Sequence, residues 1–379
     1  MSDIKRVLAE IVEIPELKAI ENADALEVVS VRGWNVVVQK GLYQTGELAV
    51  YFSIDALLPE YPEFEWMRER CYVKNSEAGP GFRIKTIRLR GVYSQGILCP
   101  LKEIAHYFKK APKVGDDVTD LLNVKKYEKK LDEVARARLG GNARGAFPSF
   151  IPKTDEHRIQ NFFGRFEKEY SDHVWEVSLK MDGSSMTAYF NGVKHVKDTW
   201  FERTKRKVKL FLGMKIDAGP FGVCSRNIDL TETSGNAFWT AARKTGLEEK
   251  LKSFYLETGR SIAVQGELVG PGIQGNFEVM PENELFIFNI WDIDRQTYFT
   301  SEERTEFLKA NDLKGVPVYD VRTFESFAVE DFLALAETGF NGGKSINAKY
   351  REGLVFKSLS DPKVSFKAIS NKYLLKEKD

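Results

Sequence analysis

The stretch from Trp175 to Gly192, WEVSLKMDGSSMTAYFNG, constrains the fold more tightly than any other part of the chain. Trp175, Val177 and Leu179 alternate with Glu176, Ser178 and Lys180, the period of a strand with one apolar face. Asp182-Gly183 interrupts the alternation, and Met186 to Phe190 resumes it. The pattern predicts a half-buried strand ending at Lys180, an Asp-Gly turn and a second strand folded back as a hairpin. Lys180 then sits at a strand end on the polar side, and two readings stay open. One is a solvated lysine beside a turn. The other is a nucleophile. An amine attacks only when neutral, and free lysine has a pKa of about 10.4. Burial or a cationic neighbour has to depress it. Lys-x-Asp-Gly fixes only three residues and does not decide the matter.

The chain has 379 residues, enough for two or three domains with cores of their own. Its 56 Lys and Arg nearly balance 55 Asp and Glu, so net charge reveals no polyanionic partner and any nucleic-acid site must be a local patch. No apolar run reaches the length of a membrane span, and MSDIKRVLAE lacks a signal-peptide core. Cys71, Cys99 and Cys224 have no metal-binding spacing and are expected as free thiols. His106, His157, His173 and His195 offer no zinc spacing. A cytoplasmic address is the expectation, with a monomer as the expected state.

Residues 1–120 read as β-rich. Leu26–Val31 and Trp34–Val38 flank Arg32-Gly33 as a hairpin; Glu47–Phe52, Phe82–Leu89 and Val92–Leu98 are further strands, the last two around Arg90-Gly91. Short strands with glycine turns fit a small barrel of the OB type, which can bind oligonucleotides or serve as a rigid module. Residues 121–146 change character: LLNVKKYEKKLDEVARARLGG predicts a charged helical linker ended by Gly140-Gly141. From 147 to 379 strands and helices mix without a βαβ rhythm, so the second domain is read as antiparallel α+β. The basic run at 203–215, RTKRKVKLFLGMK, is either a lysine-protected edge hairpin or a phosphate-tracking patch.

Five further segments of this second domain carry residues of chemical interest. FGVCSRNIDL holds Arg226, AVQGELVGPGIQGN places Glu267 before a Gly-Pro-Gly loop, and ELFIFNIWDI holds Phe286 and Phe288. REGLVFKS holds Glu352 and Lys357, which in a regular strand face opposite ways, and VSFKAISNKYLLK holds Lys367 and Lys372. Each alone has a plain explanation: core aromatics, or surface charges at turns.

In order, KMDG, SRN, GELVGPGIQ, FIFNI, EGLVFK and SFKAISNKYLLK resemble the motifs of ATP-dependent RNA ligases in the covalent nucleotidyltransferase superfamily, most closely the nick-sealing branch. With an OB-like domain in front, the chain resembles the Deinococcus and Naegleria type. The resemblance implies that Lys180 attacks the α-phosphorus of ATP and carries AMP. The AMP then passes to an RNA 5′-phosphate, and a 3′-OH displaces it, with nicked duplexes as the expected RNA partner. It implies a divalent cofactor, Mg²⁺ or Mn²⁺, with Asp182, Glu267 and Glu352 around the hydrated metal or the ribose hydroxyls. Phe288 would stack on adenine, Arg226 would meet the adenylate or the 3′-OH strand, and Arg158 the ATP phosphates. Lys357 and Lys367 would meet the α-phosphate as point charges.

One departure stands out. The phage-type enzymes of this branch have Lys-x-Lys in the last motif, and Ile369 occupies the second lysine position here, so Lys372, Lys376 or the front domain has to supply that charge. DNA ligases and mRNA guanylyltransferases share Lys-x-Asp-Gly and remain alternatives. In both, an OB domain normally follows the last motif, which counts against them in a sequence ending at Asp379. A non-catalytic RNA-binding protein is the third alternative.

Overall fold

A computed structural model describes residues 7–128, 143–192 and 220–375. The basic run at 203–215, most of the expected linker helix, and Lys376 lie outside them.

In the front domain, Ala9–Glu13, Leu48–Phe52 and Ile97–Pro100 form an antiparallel sheet with Leu48–Phe52 in the centre. Leu17–Ala19, Leu26–Val31 and Trp34–Gln39 form a second sheet, and Lys125–Lys126, Ala56–Leu58, Gly81–Arg83 and Tyr72–Val73 a third. The Leu26/Trp34 hairpin turns through Arg32 and Gly33 at φ 51° and 77°, the mirror-image turn that matches strand twist. Ile11, Val50, Phe52, Phe64 and Phe82 fill the interior, giving the OB-type barrel expected. Two predicted strands are each split. Phe82–Leu89 becomes Gly81–Arg83 and Thr86–Leu89 in different sheets, and Val92–Leu98 becomes Val92–Gln95 and Ile97–Pro100. The second break falls at Gly96, with φ 121°, where a Cβ would run into the Tyr51 ring and the Phe52 carbonyl.

The second domain is two packed sheets. Seven antiparallel strands run in the spatial order Ala143–Ala146, Ile228–Leu230, Phe221–Cys224, Ser184–Phe190, Ile262–Val269, Glu284–Asp292, Thr297–Tyr298. Five more run His157–Arg158, Ser365–Ile369, Gly353–Ser358, Trp175–Lys180, Val318–Arg322, with one parallel pair at the edge. Helices Ala237–Lys244, Leu247–Thr258 and Ser301–Ala310 bury the outer face of the first sheet, and Ile159–Arg165 and Val329–Thr338 that of the second.

This arrangement corrects the hairpin reading. Trp175–Lys180 belongs to the five-stranded sheet and Ser184–Phe190 to the seven-stranded one, so Met181-Asp182-Gly183 crosses between sheets. The first strand is also not half-buried. Its polar face looks inward, where Glu176 is 2% exposed and paired with Arg304 at 2.6 Å, with Ser301 donating to the same carboxylate. Alternation reports which residues differ, not whether the polar side meets water.

The two domains share a core. Ile369 and Leu374 pack with Val12, Val29, Trp34 and Tyr51 of the front domain. Trp34 Nε1 donates to Asn161 Oδ1 at 3.1 Å, and Gln95 Nε2 to Asn371 Oδ1 at 2.9 Å. Ile369, at the position where the resemblance leads one to expect a second lysine, thus packs in the interface between the domains. Cys71, Cys99 and Cys224 are free thiols, and among the described residues no helix is long and apolar enough to cross a membrane.

Removing one partner of a buried ion pair strands the other charge and costs about 3–5 kcal/mol. Arg304→Met should therefore lower stability by about 3 kcal/mol or more, measured by urea unfolding, while Arg243→Met in an exposed pair should change it by less than about 1 kcal/mol.

Candidate active site

Where the two sheets face each other they enclose a cavity of about 530 Å³. Lys180, Asp182, Arg226, Glu267, Phe288, Glu352, Lys357 and Lys367 all line it. A separate cavity of about 590 Å³, walled by Phe147, Phe150 and Trp291, shares only Asn227 with it and carries no carboxylate.

Local structure explains each placement. Lys180 ends its strand opposite Gly353, and Glu352 lies one residue before the next strand begins. Freed from strand alternation, Glu352 turns to the same side as Lys357, which corrects the expectation that the two face apart. Lys180 Nζ donates to Glu352 Oε2 and to the Met181 carbonyl, both at 3.0 Å. Gly183 lets the crossover lie against the neighbouring strand, because a Cβ there would strike the Leu268 carbonyl and come within 2.7 Å of Val269 Cγ1.

Phe288 occupies a bulge. Gln265 pairs with Asn289 and Gly266 with Ile287, so Phe288 is the extra residue between them. Phe286, two positions back, is buried among Leu179, Met181 and Met280, whereas Phe288 is half-exposed on the cavity wall. The bulge also turns the Phe288 carbonyl toward Lys357, whose amine donates to it and to Asn289 Oδ1 at 2.6 Å.

The electrostatics set the protonation states. Burial pulls the Lys180 amine down, but the charges of Glu352, Glu267 and Asp182 outweigh it, and its pKa is raised. The requirement for a depressed amine is not met by the chain alone. Asp182 is pushed up to about 8, by burial and then by Glu352, and Glu267 to about 7, by burial and Glu352 against the pull of Lys180. Lys357 falls to about 7, through burial and Arg304, and Lys367 to about 8, through burial, Lys180 and Arg158. The site holds more negative charge around Lys180 than one amine answers. Among the described residues no three His, Cys, Asp or Glu side chains converge closely enough to cage an ion. Asp182, Glu267 and Glu352 ring the amine more loosely than that.

Two candidates sit differently from expectation. Arg158 lies beside Lys367 in the parallel strand pair, but its guanidinium reaches Asp55 of the front domain at 3.2 Å and does not line the cavity. Lys372 is exposed, 5.5 Å from the Tyr350 ring centroid, and also stays off the cavity. Arg226 is at the mouth, held by Asp155 at 2.5 Å.

Three contributors escape sequence reasoning. Glu156, in the cavity, is pushed up by burial against the charges of Lys357, Lys367 and Lys180. Glu278, fully buried, accepts from the Asp182 backbone N–H at 3.4 Å and from Ser345. Tyr373 hydrogen-bonds Asp182 while packing against the front domain. Glu156 stands two residues before Arg158, and Tyr373 lies inside the SFKAISNKYLLK motif beside Lys372; Glu278 has no such signal, because its partners are distant in sequence.

The Gly183 contacts give a direct test of the crossover. Gly183→Ala should cost about 1–3 kcal/mol of stability, as an overpacked site does, and should reduce any chemistry at Lys180 by more than tenfold, measured by thermal melts beside activity at a temperature where the variant is folded.

The RNA ligase family model matches residues 173–369, and a model described as PHA02142 OB-fold domain matches residues 8–101. No curated protein sequence matches the chain. Among solved structures, a lysine-to-methionine variant of Naegleria gruberi RNA ligase with AMP and Mn is 36% identical, with a TM-score of 0.81, covering 99% of this chain and 100% of that one. A lysine-to-alanine variant with ATP and Mn is 36% identical, with TM-score 0.80, over 98% of this chain and 99% of that one. The same ligase with pyrophosphate is 36% identical at TM-score 0.79, over 98% and 99%.

Proposed function

The chain belongs to the RNA ligase family and is an ATP-dependent RNA ligase, and from that premise we propose that it works as a monomer on nicked duplexes, with Lys180 as the AMP carrier. We divide it into an OB-like domain at 1–120, a linker at 121–146 and an adenylyltransferase domain at 147–379. The observation that carries the assignment of Lys180 is that one cavity gathers this amine with the carboxylates of Asp182, Glu267 and Glu352 and the cationic side chains of Arg226, Lys357 and Lys367.

The similar ligases hold AMP or ATP with Mn, and we assign this chain ATP and Mn²⁺ or Mg²⁺. Asp182, Glu267 and Glu352 are spread too widely to cage a bare ion and would hold it through its bound waters, or meet the ribose hydroxyls; oxygen ligands whose mutual repulsion a cation relieves fit that hydrated arrangement. Bound there, a divalent ion supplies positive charge for the phosphates and for the carboxylates that now keep Lys180 protonated.

Lys180 must lose its proton before it attacks. Glu352 is 3.0 Å away and can accept it, and Lys367 adds a repulsive charge that favours the loss. Nζ then bonds to the α-phosphorus as the bond to pyrophosphate breaks. In the second step an RNA 5′-phosphate oxygen takes the AMP and Lys180 leaves. In the third, a 3′-OH attacks the 5′-phosphorus and AMP departs. Phe288 stacks on adenine, and Lys357 and Lys367 meet the α-phosphate. Arg226 reaches the adenylate or the 3′-OH strand by leaving Asp155, and Arg158 reaches the ATP phosphates by leaving Asp55.

Incubation with α-labelled ATP and Mn²⁺ should label the protein, and Lys180→Ala should abolish the label. α-Labelled GTP should not replace ATP; equal labelling by GTP would favour the capping reaction. Glu352→Ala should slow adenylylation by about 100-fold, the scale of losing one preorganised electrostatic group, with a weakened metal titration. A titration identical to the parent's would remove Glu352 from the metal site.

A further inference from the structure

We propose that the hairpin Thr86–Leu89/Val92–Gln95 of the front domain is a phosphate-binding ribbon that holds the RNA duplex beside the reaction cavity. The proposal rests on the nick-sealing reading and names the surface that serves it.

From Arg83 to Gln95 the sequence RIKTIRLRGVYSQ has no acidic residue, in a chain whose net charge is only +1. The cations are therefore gathered locally. Arg88 and Arg90 are exposed. Arg88 is held without a carboxylate: its Nε donates to the Gly91 carbonyl at 3.0 Å, and its guanidinium lies 5.5 Å from the Tyr93 ring centroid. Arg90 starts the turn, at φ 46°, with Gly91 at φ 86°, which places it at the tip. Among the described residues neither arginine forms an ion pair. An arginine fixed by a backbone carbonyl and a ring keeps donors for a phosphate at little ordering cost.

The ribbon is tied to the helix Asn371–Leu374, whose Tyr373 hydrogen-bonds Asp182 of the cavity. Gln95, at its base, bonds Asn371, and the next residue, Lys372, stands over Tyr350. Tyr350 lies close enough to Asp182 to feel its charge, and Phe277 meets Tyr350 edge-on at 5.3 Å. Lys372, Tyr350 and Phe277 thus add a cation and two rings beside the base of the hairpin, and Arg88, Tyr93 and Arg90 lie on it, a composition that suits a nucleic-acid backbone with occasional ring contacts. One carboxylate interrupts the run: Glu337 accepts from the Lys372 backbone N–H at 3.4 Å and lies near Tyr93.

The test uses the full chain in its adenylylated form and a nicked RNA duplex, with affinity measured by fluorescence anisotropy across a salt series. Each phosphate contact contributes about 0.9 to the slope of log K against log salt. Arg88→Ala with Arg90→Ala should reduce the slope by about 2 and weaken binding at least tenfold at low salt. Self-adenylylation by ATP should stay within about twofold of the parent, since neither side chain touches the cavity. Glu337→Gln should act in the opposite direction and tighten binding. An unchanged slope in the double variant, with a parent that seals nicks, overturns the proposal. If the parent seals only single-stranded ends, the nick reading fails, and the ribbon stands or falls on the same slope measured with single-stranded RNA. Equal salt-dependent binding to polyglutamate overturns RNA as the occupant.

Discussion

An ammonium group can sit between two packed sheets only if carboxylates answer it, and the second domain is built around that condition. Lys180 ends a strand of one sheet, Glu352 stands just before the adjoining strand, and Glu267 and Asp182 come from the other sheet and from the crossover. The three acids stabilise the resting amine so well that it is the wrong protonation state for attack. Two of the same acids, Asp182 and Glu267, are driven toward neutrality by burial and by the charge of Glu352. A site with excess negative charge and a restrained nucleophile is a site waiting for cations, which ATP with a divalent ion would bring.

The order of motifs was readable without coordinates, and so was the chemistry that each residue type can perform. What the sequence could not give was the sheet to which each strand belongs. WEVSLK and SSMTAYF satisfy a hairpin pattern, yet the backbone parts at Asp182-Gly183, because both faces of Trp175–Lys180 have partners to bury against. Strand period also failed at Glu352, which lies just outside its strand, and at Phe288, where a bulge changes the count by one. Both irregularities lie at the cavity, where a regular ladder would aim the side chains elsewhere. In the front domain, Gly96 splits a predicted strand for steric reasons that depend on Tyr51, far away in sequence.

The front domain is coupled to the site through the last motif. Ile369, in place of a second lysine, contributes to the interdomain core, and Tyr373 in the following helix packs there while bonding Asp182. Arg158 likewise spans the two parts by pairing with Asp55. A residue pattern that looks like a lost phosphate contact is therefore also a gained interface. The cost is one positive charge fewer in this motif; Lys357 and Lys367 stand within the cavity with depressed pKa values of about 7 and 8, and an anion bound there would favour their charged forms.

If Lys180 is the AMP carrier, the protein holds AMP through a nitrogen–phosphorus bond. Peptide mapping by mass spectrometry, after brief exposure of the intact protein to ATP and Mn²⁺, reads that bond directly. AMP is expected on the peptide containing Lys180, through a linkage that survives alkali and is lost in acid, as a phosphoramidate is. AMP found on a different residue, or through an acid-stable ester linkage, would contradict that role for Lys180.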